Sequence, residues 1–597
     1  MILSELLASY RSGEKAPRTV VLDLLRALHE DADQAIFIHL LTDAEVEPWL
    51  AALDGKDPDS LPLYGVPFAI KDNIDLAGIP TTAACPDFTR TPSVSATVVQ
   101  RLIDAGAIPL GKTNLDQLAT GLVGVRSPYG IPKNPWHPDY IPGGSSSGSA
   151  VAVARGFAAF ALGTDTAGSG RVPASFNHLF GVKPTCGLLS TSGVVPACRT
   201  LDCVSIFANN AADAATILNV AAALDAADPY SRPLPPQPAR SWSKGMRLGV
   251  PREDQLEFFG NTAAADLFAA AVETARSLGA EIVPIDLTPF LETARLLYEG
   301  PWVSERTLTA EPLLKSNPDA LLPVTRRIIE GGVARTATDT FSAFYRLADN
   351  KLRAARAWTD VDAILTPTAG TPYTVEEVLA DPIRLNSNLG HYTNFMNLLD
   401  LAALAIPAGF LPQGMPWGVT VFAPAFTDWH LLEFAARWPA PSPPDASAPS
   451  SSIHSHTPSI HPPVPVLEIA VCGAHLDGLP LNHQLTSRGG WLVRATKTAP
   501  HYQMVKLPGG PPHRPGLIRK TEVDGAAIKV EIWALPLPSV GSFLAGIPSP
   551  LGLGTVQLED GSSVCGFICE GFAAEGALDI THTGGWRAWL GSPRPTG

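Results

Sequence analysis

The stretch from Ile141 to Gly187 constrains this chain most, because it is the densest run of glycine, serine and threonine in the sequence. A flexible linker can have that composition, but linkers carry no apolar segment. This stretch is interrupted by AVAVARGFAAFAL, which predicts a buried helix followed by a strand. Around Ser169 the run GTDTAGSGR predicts a tight turn that enters a helix. Successive amides at such a turn can hold an oxyanion, so we interpret the stretch as half of an active site.

The other half is predicted at Lys71, within the segment YGVPFAIKDN. A serine hydroxyl is a weak nucleophile and needs a base beside it. A lysine is such a base at neutral pH only when burial or a neighbouring cation lowers its pKa. The apolar residues before Lys71 favour the neutral amine. The candidate hydroxyls are those of Ser145, Ser146, Ser147, Ser149 and Ser169.

Four motifs in order, GVPFAIKDN, GGSSSGS, GTDTAGSGRVPAS and GVKPT, resemble those of the amidase signature family of Ser-cisSer-Lys hydrolases. The resemblance covers roughly the first 435 residues. It implies that Ser169 is the nucleophile, that Ser145 is a bridging serine after a cis peptide bond, and that Lys71 is the base. It also implies an oxyanion hole made by the amides of Thr166, Ala167, Gly168 and Ser169.

One departure from the family pattern narrows the resemblance. Most members read GGSIR where this chain reads AGSGR, and the variant resembles the allophanate hydrolase branch. In that branch a tyrosine and an arginine hold the substrate carboxylate, which implies this role for Tyr298 and Arg306. They stand eight residues apart with a Gly-Pro break between them, so they can converge on a ligand, although a surface arginine is the ordinary interpretation. The Gly-rich segment QLATGLVGVRSPYGIP is expected to line the pocket, and Gly121 and Gly124 are its predicted substrate contacts.

Alternating strand and helix patterns from Leu63 onward predict an α/β fold, a large mixed sheet covered by helices. Residues 1–60 have helical apolar spacing and predict a helical cap that packs on this domain. The amidase domain is expected to span 1–438. A Pro/Ser-rich segment, 439–465, is predicted to be a linker, and its histidines (His454, His456 and His461) are interpreted as solvated rather than as a metal site.

Residues 466–597 predict a second, small, β-rich α+β domain, because short β-rich runs alternate with Gly and Pro turns. VCGAHLDGLPLNHQLTSRGG, HRPGLIRKT and GFICEG resemble the C-terminal domain of allophanate hydrolases, which implies a γ-glutamyl cyclotransferase-like fold. Its candidate catalytic residue is His475, with Lys497 and Glu570 as further polar positions. The resemblance ties the histidine to decarboxylation of the amidase product. The alternative is that His475 satisfies a loop hydrogen bond and that the domain supports dimerisation.

Composition restricts the partners. A formal charge of −14 argues against nucleic acid as a main partner. No uncharged apolar run of membrane length and no secretory signal are recognisable, so we expect a cytoplasmic protein without membrane contact. Seven cysteines agree with reduced thiols in that compartment, and the pair Cys565 and Cys569 has no second pair at metal spacing. No metal, nucleotide or biotin site is predicted.

The resemblance as a whole implies hydrolysis of allophanate to ammonia and N-carboxycarbamate, which ends as ammonia and carbon dioxide. We expect a homodimer whose small-molecule substrate comes from a separate urea carboxylase or from a cyanuric acid pathway. Two alternatives stay open: an amidase subunit of a glutamine-dependent amidotransferase, and a catalytically silent binding protein. The extra C-terminal domain argues against the first, and intact Lys71, Ser145 and Ser169 argue against the second.

Overall fold

The computed structural model describes residues 1–31, 33–235, 245–439, 441, 464–520 and 525–591. The chain divides into two units, the first within 1–234 and 245–439 and the second within 464–520 and 525–591. Most of the predicted linker, including its three histidines, lies outside the described residues. Among the described helices, none combines the length and the apolarity that a membrane crossing requires.

The first unit is built on one mixed sheet of eleven strands in the order β1-β3-β2-β4-β6-β5-β10-β11-β9-β7-β8. Strands β3, β2 and β4 are parallel, β9, β7 and β8 are parallel, and the remaining neighbours are antiparallel. The strands are β1 Phe37–Leu40, β2 Pro67–Lys71, β3 Ile108–Thr113, β4 Phe160–Asp165, β5 Phe180–Lys183, β6 Cys203–Ala208, β7 Arg247–Pro251, β8 Glu281–Ile285, β9 Ala363–Pro367, β10 Leu401–Phe410 and β11 Pro416–Pro424.

Helices pack on this sheet. They are α1 Leu3–Arg11, α2 Pro17–Glu30, α3 Asp43–Ala51, α4 Thr97–Asp104, α5 Ser147–Ala154, α6 Val172–Phe176, α7 Ala211–Ala221, α8 Thr262–Ser277, α9 Thr288–Glu299, α10 Trp302–Ser316, α11 Pro323–Glu330, α12 Ala337–Ala355, α13 Val375–Ala380, α14 Arg384–Leu389 and α15 Asp428–Ala436. The central strands β2, β4 and β6 are buried along their whole length, as expected of strands covered on both faces. The predicted α/β fold with a large mixed sheet is confirmed.

The N-terminal segment differs from its prediction. Helices α1, α2 and α3 are present, but residues 1–60 also contain strand β1, which pairs antiparallel with β3 at one edge of the sheet. Strand β1 has only four residues. Its pairing with β3 is a tertiary contact that a helical periodicity on either side does not reveal. The segment therefore extends the sheet as well as covering it.

The second unit is β-rich, as predicted. Its five-stranded sheet has the order β13-β16-β12-β18-β17, and a three-stranded sheet has the order β15-β14-β19. Among the strands described for this unit, only β12 and β18 are parallel neighbours. Its core contains Ile469, Tyr502, Ile532 and Trp586. The elements are β12 Val466–Val471, α16 His483–Thr486, β13 Trp491–Lys497, β14 Tyr502–Lys506, β15 Pro515–Arg519, β16 Lys529–Pro536, α17 Leu537–Leu544, β17 Leu551–Gln557, β18 Ser563–Cys569, β19 Leu578–Asp579 and α18 Trp586–Gly591.

Candidate active site

Two parallel strands deliver the base and its first partner. Strands β2 and β4 are neighbours, with Ile70 opposite Leu162, so their carboxyl ends lie at the same edge of the sheet. Lys71 is the last residue of β2, and Thr164 lies near the end of β4. The Lys71 Nζ donates to Thr164 Oγ1 over 2.8 Å. The two neighbouring strands therefore place Lys71 beside Thr164 without a contact from a loop.

Ser145 reaches the same amine from the Gly/Ser stretch. The peptide bond between Gly144 and Ser145 is cis. The Lys71 Nζ lies 2.8 Å from Ser145 Oγ, and the Ser145 carbonyl accepts from the amide of Asp116 at 3.0 Å. The predicted lysine and bridging serine, 74 residues apart in the sequence, are therefore in direct contact.

The environment of Lys71 favours a neutral amine. The side chain has no exposed surface, and both of its hydrogen-bond partners are hydroxyl groups. Burial lowers the pKa of Lys71 from 10.5 to about 7, although the carboxylates of Asp116, Asp165 and Asp202 oppose that shift. Lys112 is equally buried, but its ammonium pairs with Asp72 at 2.9 Å. Lys71 is thus the better candidate for a general base at neutral pH.

The other candidate serines brace helix α5. Ser146 Oγ donates to the Thr164 carbonyl at 3.2 Å, and Ser149 Oγ donates to the Leu162 carbonyl at 2.9 Å. Both bonds tie the start of α5 to β4. Ser147 Oγ is buried and has no hydrogen-bond partner among the described residues. Ser146 and Ser149 therefore hold the segment that carries Ser145 in position.

Ser169 lies at the turn between β4 and α6, where the sequence predicts it. Its hydroxyl donates to the Gly121 carbonyl at 3.4 Å, the one hydrogen bond it makes within the described part of the chain. No hydrogen bond joins it to Ser145 among the described residues. Catalytic hydrogen bonds are often long or unformed in a ligand-free site and tighten on the substrate. The hydrogen bond from Ser169 to Ser145 is therefore expected to form when a substrate binds.

Asp165 organises the turn. Its carboxylate accepts from the amides of Gly168 at 2.8 Å and Gly170 at 3.0 Å, and it forms a buried bidentate pair with Arg171. Burial favours a raised pKa for Asp165, but the Arg171 guanidinium holds that pKa below its ordinary value. The carboxylate is therefore ionised and keeps the turn in one conformation.

This arrangement changes the predicted oxyanion hole. The Gly168 amide is engaged by Asp165, so in this structure it does not face the site as a free donor. The amides of Ala167 and Ser169 have no acceptor among the residues described. The Thr166 hydroxyl bonds to Asp202, whose carboxylate also accepts from the Ala197 amide at 2.8 Å. The amides of Thr166, Ala167 and Ser169 thus have no acceptor among the described residues and are available to an oxyanion.

The two predicted glycines hold a loop against the catalytic segment. The Gly121 carbonyl faces Ser169. Gly124 has φ +76°, and a Cβ there would lie 2.5 Å from the Gly143 carbonyl oxygen. Asp116, which sequence reasoning missed, accepts from the amides of Val123 and Gly124. Glycine is required at 124 because the loop approaches the backbone before Ser145 this closely.

Tyr298 and Arg306 converge as the Gly-Pro break predicts. Helix α9 ends at Glu299 and α10 begins at Trp302. The Tyr298 hydroxyl lies 3.5 Å from Arg306 Nη2. Arg306 Nη1 donates to the Ala119 carbonyl at 3.2 Å and to Thr120 Oγ1 at 3.1 Å, directly before Gly121. The guanidinium therefore lies next to the loop that contacts Ser169.

Burial disfavours the charge of Arg306, but Tyr298, Asp202 and Glu305 lie close enough to raise its pKa on balance. Arg306 is only 3 % exposed, and no aspartate or glutamate forms an ion pair with it in the described ranges. A buried, unpaired guanidinium is costly unless a ligand supplies the negative charge. The pair Tyr298 and Arg306, called the clamp below, can therefore bind a carboxylate.

Comparison with known proteins agrees with this geometry. The profile of the amidase family matches residues 20–432, which is more than half of the chain. The chain belongs to the amidase family. A second profile, the allophanate hydrolase C-terminal domain, matches residues 467–591. The resemblance inferred from the motifs is therefore confirmed for both parts, and the first unit is the amidase domain.

Similar proteins include the urea amidolyase of Lachancea kluyveri, 43 % identical over 97 % of this chain and 32 % of that protein. The Saccharomyces cerevisiae urea amidolyase is 44 % identical over 90 % of this chain and 30 % of that protein. The chain thus spans about a third of the length of these curated relatives. One subunit of the Acidobacterium capsulatum glutamyl-tRNA(Gln) amidotransferase is 36 % identical over 64 % of this chain and 86 % of that protein.

Among solved structures, Kluyveromyces lactis allophanate hydrolase is 40 % identical with a TM-score of 0.85, and the match covers 99 % of both chains. The Kluyveromyces lactis urea amidolyase is 38 % identical with a TM-score of 0.83, over 99 % of this chain and 36 % of that one. Both similarities extend through the amidase domain and the C-terminal domain.

In the C-terminal domain, His475 lies in a small cavity. Its Nε2 is 3.0 Å from Gln484 Oε1, and its ring stacks on Phe567 with the ring centres 4.8 Å apart. Burial lowers the pKa of His475. Arg514 lines the same cavity. It has no ion-pair partner in the described ranges. Lys497 and Glu570 do not line this cavity.

Proposed function

We propose that this chain hydrolyses allophanate, a urea that carries a carboxylate. The observation that carries the proposal is the unpaired, buried Arg306 held one residue from the Gly121 carbonyl that contacts Ser169. A carboxylate bound by the clamp places the far end of a small, planar acyl urea at Ser169. A neutral amide has no group that neutralises Arg306, so the clamp selects an anionic substrate.

Acylation follows from the contacts of the base. Neutral Lys71 accepts the proton of Ser145 while Ser145 accepts that of Ser169. Ser169 Oγ attacks the carbonyl carbon that bears the terminal amino group. The amides of Thr166, Ala167 and Ser169 are available to support the negative charge on its oxygen, a kind of contact whose loss costs about 3–4 kcal/mol per donor. The relay returns the proton to nitrogen as the C–N bond breaks, and ammonia leaves.

Deacylation uses the same groups. A water molecule loses its proton to the Ser145–Lys71 pair and attacks the carbamoyl carbon of the ester on Ser169. The bond to Ser169 breaks, and the product is N-carboxycarbamate, which has two carboxylates on one nitrogen. Loss of one carbon dioxide gives carbamate, which then yields ammonia and a second carbon dioxide.

The C-terminal domain is assigned the decarboxylation within this proposal. A carboxylate of the product can pair with Arg514, whose side chain lines the His475 cavity. Burial keeps His475 neutral in the empty cavity, and a bound dianion would raise its pKa again so that the ring can protonate the nitrogen. The alternative of a purely structural His475 rests on its bond to Gln484. The variant His475→Asn distinguishes the catalytic role from the structural role. If His475 is catalytic, N-carboxycarbamate should accumulate in ¹³C NMR spectra while the first ammonia is released normally. If His475 is only structural, N-carboxycarbamate should not accumulate.

The main proposal is tested by ammonia release from freshly prepared allophanate, with Ser169→Ala as the matched inactive variant. Rapid release that is lost in the variant supports both the substrate and the nucleophile. Turnover of acetamide or glutamine without turnover of allophanate would contradict the clamp and leave a general amidase. Homodimer formation, a cytoplasmic location, and supply of allophanate by urea carboxylation or triazine breakdown stay predictions.

A further inference from the structure

An open cleft of about 250 Å³ lies beside the clamp. Its lining includes Arg126, Arg327, Arg335, Asn386 and Tyr298, the last of which also belongs to the clamp. Three arginines at one small cleft are unexpected in a chain with a formal charge of −14. The carboxylate clamp and the cleft thus share the side chain of Tyr298.

Arg126 is the buried member of this set. The residue is 2 % exposed, its Nη1 donates to the Thr120 carbonyl at 2.9 Å, and its Nη2 donates to the Pro382 carbonyl. Its Nε has no hydrogen-bond partner among the described residues. None of the three arginines forms an ion pair with an aspartate or glutamate in those ranges. Asp116 is the nearby carboxylate that favours the Arg126 charge, but its oxygens accept from the backbone amides of Val123, Gly124 and Arg126 rather than from the guanidinium, whose Nε donor stays unused.

Hydrogen bonds connect the cleft to the catalytic segment. Asn386 Oδ1 accepts from the Leu122 amide at 2.8 Å, and the Leu122 carbonyl accepts from the Gly144 amide at 2.9 Å. Asn386, which lines the cleft, is therefore linked through Leu122 to the backbone directly before Ser145.

Charge indicates what the cleft binds. The proposed substrate has one carboxylate and the hydrolysis product has two, so the clamp alone leaves one product carboxylate without a cation. We propose that Arg126, with Arg327 and Arg335 at its rim, is a second carboxylate site for this reaction. It draws the anionic substrate toward the clamp and receives the dianionic product. This inference rests on the proposed function for the identity of its ligand, but the binding of a small carboxylate does not depend on turnover.

Malonate is the probe for binding, because a methylene group replaces the nitrogen of N-carboxycarbamate between the two carboxylates. Binding is measured by calorimetry on the full chain with Ser169→Ala, which removes turnover. The double change Arg327→Gln and Arg335→Gln is expected to weaken malonate binding about fivefold at low ionic strength, since each removes one charge near the anion. Arg346→Gln, an exposed arginine outside the cleft, is the matched control and is expected to leave the affinity unchanged.

Arg126→Lys tests the buried position. It keeps the charge and loses the planar donor set, so the affinity for malonate falls while acetate, with one carboxylate, is affected less. Unchanged malonate binding in both the double variant and Arg126→Lys would overturn the inference, as would an equal loss in Arg346→Gln. If malonate binding depends on the cleft but wild-type protein releases no ammonia from allophanate, the proposed function fails and the site stands.

Kinetics give an independent readout. In the double variant the KM for allophanate is expected to rise about fivefold at low salt and to approach that of the wild type at about 0.5 M salt, because screening removes the contribution of rim charges. A salt-independent loss of kcat with an unchanged KM would show disturbed folding of the loop, and would count against a binding role.

Discussion

The buried amine of Lys71 is expected to lower the free energy of unfolding of the amidase domain. The pKa of about 7, against 10.5 for an ordinary lysine, means that folding favours the neutral amine. A difference of 3.5 pKa units corresponds to about 5 kcal/mol at about 1.4 kcal/mol per unit. Between pH 7 and 10.5 the unfolded chain binds the extra proton, so the stability of the wild type rises with pH. The loss of stability is largest below pH 7 and disappears as the pH rises from 7 to 10.5.

Lys71→Met removes this penalty and also removes the two hydrogen bonds of Nζ, to Ser145 and Thr164. Those bonds contribute about 1 kcal/mol each. The variant should therefore be more stable than the wild type by about 3 kcal/mol at pH 6 and less stable by about 1 kcal/mol at pH 10. For a domain of this size the midpoint of thermal unfolding moves by about 3 °C upward and about 1 °C downward, respectively. Ammonia release from allophanate should be lost at both pH values.

The assay is the thermal midpoint of the amidase domain at pH 6 and pH 10, followed by circular dichroism at one scan rate. Lys112→Met is the matched control, because Lys112 is buried but paired with Asp72. Its removal leaves a buried carboxylate uncompensated and should lower the midpoint at both pH values. A Lys71→Met midpoint that differs from the wild type by the same amount at pH 6 and pH 10 would refute the depressed pKa.

Three further outcomes are expected. Ammonia release should fall about tenfold per pH unit below pH 7, since Lys71 must be neutral to accept a proton; a pH–rate profile whose acidic limb lies near pH 5 would contradict this. Arg306→Lys keeps the charge but loses the two-pronged donor set, and should lower kcat/KM for allophanate about 30-fold through KM, whereas turnover of a neutral amide should not fall; a matching loss for both substrates would mean that the change damages the whole site. Asp165→Asn leaves Arg171 buried without its counter-charge and should reduce the free energy of unfolding by about 3–5 kcal/mol in a urea titration, with normal stability as the contrary result.

Much of the amidase domain was predictable because its patterns are local. The run before Lys71 is strand β2, AVAVA is the second half of helix α5, and the Gly-Pro break separates α9 from α10. The contact between Lys71 and Ser145 followed from motifs rather than from periodicity. Strand β1 was missed because its pairing with β3 joins segments that lie far apart in the sequence, Phe37 with Thr113 for example.

The polar groups around the catalytic residues were harder to find. Asp202 bonds to Thr166 across 36 residues, and nothing local in the sequence connects them. Asp165 is different, since an aspartate three residues before a glycine commonly accepts that residue's amide in a turn. That signal was present in GTDTAGSGR and indicates that Gly168 is committed to the turn. The motif resemblance implies that the Gly168 amide belongs to the oxyanion hole, but it does not reveal that this amide already donates to Asp165.

The clamp residues and the catalytic residues lie on different secondary-structure elements. Tyr298 and Arg306 project from α9 and α10, whereas Lys71 and Asp165 end strands of the sheet and Ser145 begins the approach to α5. Because the two sets of residues lie on different elements, substitutions in the clamp can change substrate specificity without altering the proton relay. Exchange of the segment Thr288–Ser316 among amidases is therefore a rational way to redirect this reaction to other acyl groups, with the nucleophile and its base left untouched.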